Sequence, residues 1–163
     1  MRTALAFVAL LALGAPAAVA QNQARPRLEA RLDGFAGPME AAHLGGGIAL
    51  PVGTYARLAA IVGAGAARVD DENGEKGDVG FGARIDLLGR FHFDPVRQFR
   101  WGPYAAAGIS VHAAPETCCD AFLSLLLGVE GPHVGGRSWA FELGFGGGVR
   151  AALVLRGGGG RWR

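Results

Sequence analysis

Glu130 and Glu142 fall on segments that read as neighbouring strands, where paired carboxylates could divide acid and base work. Arginines occur on the same face, so ion pairing is the simpler reading. The four histidines, His43, His92, His112 and His133, sit in different segments without close pair spacing. A metal site would have to assemble across strands, and histidines of a lumen or a loop are the plainer reading. No G-x-S-x-G elbow surrounds Ser110, Ser124 or Ser138, which leaves nucleophilic catalysis without a visible residue. Gly63-x-Gly65 is half of a phosphate-binding fingerprint, but it lies within a strand and no helix follows it.

Two further clusters carry little chemistry. Cys118 and Cys119 are adjacent, can join only in a small strained ring, and cannot staple distant segments as structural disulfides do. They are expected as a local pair in a loop, and without nearby His or Cys they fall short of four zinc ligands. The stretch 70–78 is acidic and glycine-punctuated, but it lacks calcium-loop spacing and reads as a solvated turn. No catalytic residue, metal or cofactor is therefore expected.

The more informative residues are charges at alternate positions. Between Phe81 and Asp94, Phe81, Ala83, Ile85, Leu87, Phe91 and Phe93 share one side, while Arg84, Asp86, Arg90, His92 and Asp94 share the other. This is the signature of a strand with one apolar and one charged face. Period and punctuation predict seven more strands: 27–35, 42–50, 55–69, 101–113, 121–130, 138–145 and 149–156, with the one above fourth in order. No helix of ordinary length is predicted. The fold class expected is all-β, a single eight-stranded antiparallel up-and-down barrel with short loops.

Alternation alone does not say which face is outside, because a soluble carrier barrel buries Leu and Phe and a membrane barrel buries the charges. Here the charged faces also carry Gly45, Gly47, Gly63, Gly65, Gly82, Gly108, Gly128 and Gly144. An exposed surface has no steric need for residues that small, whereas the lumen of an eight-stranded barrel is barely wide enough for side chains. A lumen network is therefore expected in which Arg31, Arg57, Arg84, Arg90 and Arg150 balance Glu29, Asp33, Asp86, Glu130 and Glu142. Arginine suits such pairing because its planar fork bonds a carboxylate at two points. Tyr55, Phe91, Phe93, Trp101, Tyr104 and Trp139 lie near predicted strand ends, where interfacial girdles belong.

Composition and the N-terminus agree. Arg2, an apolar run to Leu13, Pro16 and the ending Ala18-Val19-Ala20 read as a signal peptide over 1–20. An extension over 21–26, a barrel over 27–156 and a flexible tail over 157–163 follow. The 163-residue chain has 28 glycines, one lysine (Lys76) and only 18% charged residues, less charge than a water-soluble surface usually carries. A net charge of +2, spread singly along strands, gives no electrostatic case for nucleic acid.

With leader, strands, lumen charges and aromatic ends together, residues 27–156 resemble the small eight-stranded outer-membrane β-barrels of Gram-negative bacteria. The resemblance implies the outer membrane as location, its lipid and the barrel-assembly machinery as partners, and a monomeric structural or interaction protein. Such barrels often end on an aromatic residue that helps insertion, whereas this chain ends Arg161-Trp162-Arg163. Two other readings are an exported soluble, lipocalin-like barrel binding a small apolar ligand, and an outer-membrane lipid-modifying enzyme. The last would need a polar catalytic cluster at one rim, and the sequence offers none.

Overall fold

The computed structural model describes residues 26–69, 77–96, 98–114 and 117–157. The expected leader, most of the acidic stretch 70–78 and the tail beyond Gly157 lie outside the described residues. Eight strands follow in chain order: β1 (Arg27–Ala36), β2 (Met39–Pro51), β3 (Ala56–Val69), β4 (Gly80–His92), β5 (Gly102–Ala114), β6 (Thr117–Glu130), β7 (Ser138–Phe145) and β8 (Val149–Gly157). Each pairs antiparallel with its sequence neighbour, and β8 pairs with β1 to close the barrel. Among the described residues there is no helix.

The alternation sets the two faces as the charge pattern requires. Ile85 is 56% exposed and Phe141 46%, while Asp33, Asp86, Glu142 and Arg150 are fully buried. The hydrophobic residues that remain inside gather in two clusters, one of Ala49, Ala59, Ile61, Leu88, Ala106 and Leu126 and one of Tyr104, Ala140, Ala152 and Val154. The core therefore holds buried ions together with these apolar clusters.

Two strands are longer than their alternation suggests. β2 begins at Met39, because Met39 pairs with Val69 and the ladder runs to the end of β3. β6 begins at Thr117, which pairs with Ala114 beyond a register shift between His112 and Ala114. Cys118 and Cys119, expected in a loop, thus lie at the start of a strand, where Cys119 is disulfide-bonded and has a φ of 73°. β4 ends at His92, and Asp94 leaves the ladder to accept hydrogen bonds from the Gln98 and Phe99 amides at 3.0 and 2.8 Å. Gly157, expected to open the tail, is the last residue of β8 and pairs with Leu28.

Lumen glycines answer to two different constraints. At Gly128, directly across from Tyr104, a Cβ would come within 2.3 Å of the Tyr104 ring, and at Gly63 within 2.9 Å of the Arg84 guanidinium. These give room to a large side chain, as expected. At Gly108 and Gly144 the obstacle is backbone instead: a Cβ would lie 1.9 Å from the carbonyl oxygen of Leu87 or Leu125 on the adjacent strand. There the glycine permits close approach of coiled strands in a narrow barrel.

Gly128→Val should therefore cost about 1–3 kcal/mol through overpacking against Tyr104. Gly34→Ala, on the outer face with nothing within 4 Å, should stay within about 0.5 kcal/mol of the parent. Urea midpoints of refolded protein in detergent, followed by gel mobility of unheated samples, would compare the two.

Candidate functional site in the lumen

Period-two alternation sends every second residue inward, and barrel closure then brings charges from distant strands together. They form two layers joined by Arg31. In the first layer Asp33 is the hub. It accepts two bonds from Arg31 (Nε and Nη2, both 3.0 Å) and two from Arg150 (Nε 3.1 Å, Nη2 3.0 Å), and Arg84 also donates to it. Asp86 lies beside it, accepting from Arg150 Nη2 at 2.7 Å and Ser110 Oγ at 2.6 Å and pairing with Arg84 Nη1 at 3.0 Å. Ser110 in turn shares a 2.6 Å bond with Ser124.

In the second layer Glu142 is the hub. It accepts from Arg31 Nη2 at 2.6 Å, the Tyr104 hydroxyl at 2.6 Å and Arg156 Nη2 at 3.0 Å, with Arg90 at 3.4 Å. Glu29 accepts from Arg90 Nη2 at 2.8 Å and Arg156 Nε at 2.9 Å. Glu130 accepts from Arg156 Nη1 at 3.0 Å, Ser138 Oγ at 2.6 Å and the half-buried Arg27 at 2.9 Å. Arg156 also stacks its guanidinium carbon 4.7 Å from the Tyr104 ring centre.

Nine of the ten residues singled out from the sequence are fully buried here: Glu29, Arg31, Asp33, Arg84, Asp86, Arg90, Glu130, Glu142 and Arg150. Arg57 differs. It stands half-buried at the start of β3, and Arg156 takes the fifth place among the fully buried arginines. Among the described residues, five buried arginines thus face five buried carboxylates. Arg156 lies on the predicted inner face of the last strand, but its role depends on the closing register, which sets it opposite Glu29. No local pattern encodes that pairing.

Tyr104 is a second correction. Expected in an interfacial girdle, it is 1% exposed inside the lumen, whereas Tyr55, Phe91, Phe93, Trp101 and Trp139 are all exposed outside. Parity decides it, since Pro103 and Ala105 face outward and Gly128 opposite leaves space for the ring.

The arrangement explains why Glu130 and Glu142 do not form an acid–base pair. Arg156 lies between them and donates to both, and both are sealed from solvent. The histidines are scattered. His92 stacks on Tyr104 with ring centres 5.2 Å apart, His133 approaches Glu130 at 3.5 Å, and His43 and His112 both contact Phe35. Among the described residues no three His, Cys, Asp or Glu side chains group as a metal site.

Removing one member of a buried ion cluster leaves its partners uncompensated. Arg156→Leu should therefore cost about 3–5 kcal/mol of unfolding free energy, and the half-buried Arg57→Leu clearly less. Tyr104→Phe, which deletes one hydroxyl bonded to Glu142 and Arg156, should cost about 1–3 kcal/mol. Equilibrium urea unfolding in micelles would rank the three.

No protein-family model matches this chain, and no curated protein matches it. Among solved structures it is similar to the N-terminal β-barrel domain of Pseudomonas aeruginosa OprF, with a TM-score of 0.56 and 16% sequence identity. The match covers 80% of this chain and 94% of that one. At this identity the likeness is one of fold.

Proposed function

We propose that this chain is an outer-membrane β-barrel with a structural or interaction role, its lumen plugged by paired arginines and carboxylates. It is exported through the leader 1–20, inserted by the barrel-assembly machinery and held as a monomer in lipid. The single observation that carries this reading is the outer face. Leu32, Leu44, Val62, Ile85, Ile109, Leu125, Phe141 and Leu153, one from each strand, are all large, apolar and exposed. A belt of that kind around a whole barrel far exceeds the isolated apolar patches that soluble monomers leave in water.

Strand length supports the same reading, since strands of 8 to 14 residues bracket the roughly 9–11 that a tilted crossing requires. The exposed Tyr55, Phe91, Phe93, Trp101 and Trp139 would anchor one interface. Eight strands leave no room for a continuous water channel, and the ion layers occupy what room there is. The likeness to the OprF barrel domain supports the architecture. A soluble carrier would turn Leu and Phe inward around its cavity, so the outward apolar belt counts against it. No catalysis is assigned.

The test is to express the chain in a Gram-negative host, fractionate the membranes and compare heated with unheated gel mobility. Recovery with outer membranes and a heat-dependent mobility shift are expected; recovery in the soluble periplasmic fraction would refute the assignment. Ile85→Arg should lower the stability of bilayer-inserted protein by about 2–4 kcal/mol. In a water-facing surface the same change would stay within about 0.5 kcal/mol.

A further inference from the structure

The barrel mouth at the β1–β2 and β7–β8 turns has chemistry that the ion layers do not use. Phe35 separates the two. The guanidinium carbons of Arg84 and Arg150 each lie 5.2 Å from the centre of its ring, while His112 and His43 rings pack against it at 5.2 and 5.6 Å. Phe122 meets His112 edge-on at 5.4 Å. Beside these rings is a cavity of about 450 Å³ lined by Pro38, Met39, Val69, His112, Phe122 and Asp120. That volume is ordinary for a small-molecule site, and barrel mouths are a usual place for one.

Neither ring nitrogen of His112 has a hydrogen-bond partner within the protein, and neither has that of His43, although the residues are only 2% and 1% exposed. A neutral imidazole presents one donor and one acceptor, and burying both unpaired is costly. His112 is also part of the cavity wall. The rest of the wall is largely apolar. Asp120, exposed at the rim, is a carboxylate that repels anions.

We propose that this mouth binds a small, uncharged ring compound bearing a hydroxyl group, of the phenol class. A hydroxyl both donates and accepts at a single compact atom, so it pairs with the His112 imidazole in either tautomer. Met39, Val69 and Phe122 cover the ring, and Asp120 disfavours carboxylates and phosphates. The site lies inside the barrel wall, so it does not depend on what surrounds the outer face.

The test uses the full chain refolded in detergent micelles with isotope-labelled histidine, titrated with phenol, toluene and benzoate while the imidazole resonances are recorded. His112→Phe assigns the His112 signals. Phenol should shift them saturably, and toluene, which leaves the imidazole unpaired, should bind about tenfold more weakly. Benzoate should not compete. Ala114→Trp, which fills the cavity from its wall, should abolish the phenol response. His112→Phe, read through the remaining histidine signals, should weaken phenol about tenfold and leave toluene unchanged. Should Ala114→Trp fail to fold, the phenol-to-toluene ratio in the parent decides. A His112 signal that responds only linearly, responds equally to toluene, or stays unmoved because water alone satisfies the ring would overturn the proposal.

Discussion

Ten ionised groups enclosed in a narrow barrel must be neutralised where they stand, because each loses its hydration and none can turn outward without taking its strand along. The desolvation cost is several kcal/mol per ion, and the attraction between partners offsets it only when geometry and hydrogen bonds are nearly complete. Asp33 and Glu142 meet that condition by collecting three or more donors each. The closing seam is inseparable from this balance. Arg150 and Arg156 reach Asp33 and Glu29 only because β8 pairs with β1. A barrel left open at that seam would strand charges on both of its edges.

The same requirement explains the side chains chosen. Among the described residues every fully buried cation in the lumen is arginine, whose fork holds two carboxylate oxygens at once, as Arg31 does on Asp33. Ser110, Ser124, Ser138 and Tyr104 supply neutral bonds where a further ion would upset the balance. Glycines opposite the largest groups set the clearance. With polar chemistry turned inward, the outer face is left to Leu, Ile, Val and Phe, and the proposed lipid environment follows from that face.

Much of this is legible in the amino-acid sequence. Period-two alternation is a local signal, so the eight strands and the sign of each face could be read from runs such as 81–93 and 139–145. The glycine-rich polar faces identified the lumen, although Gly108 and Gly144 answer to backbone approach and not to arginine volume. What stayed hidden depends on register between strands distant in sequence. Arg156 belongs to the network through its position opposite Glu29; Tyr104 follows the local parity of β5, and what the sequence hides is that Gly128 faces it and leaves room for the ring. Strand ends such as Met39 and Thr117 are fixed by their ladder partners, and the cysteine pair carries no alternation to announce a strand.

The central claim is topographic: hydrocarbon outside, ions within. Its most direct test places the one tryptophan of a Trp101→Phe, Trp139→Phe, Trp162→Phe variant at position 85, through Ile85→Trp, in vesicles whose lipids carry bromine at mid-chain. The account predicts strong quenching by the brominated chains and little by aqueous acrylamide. Quenching by acrylamide without quenching by bromine would contradict it.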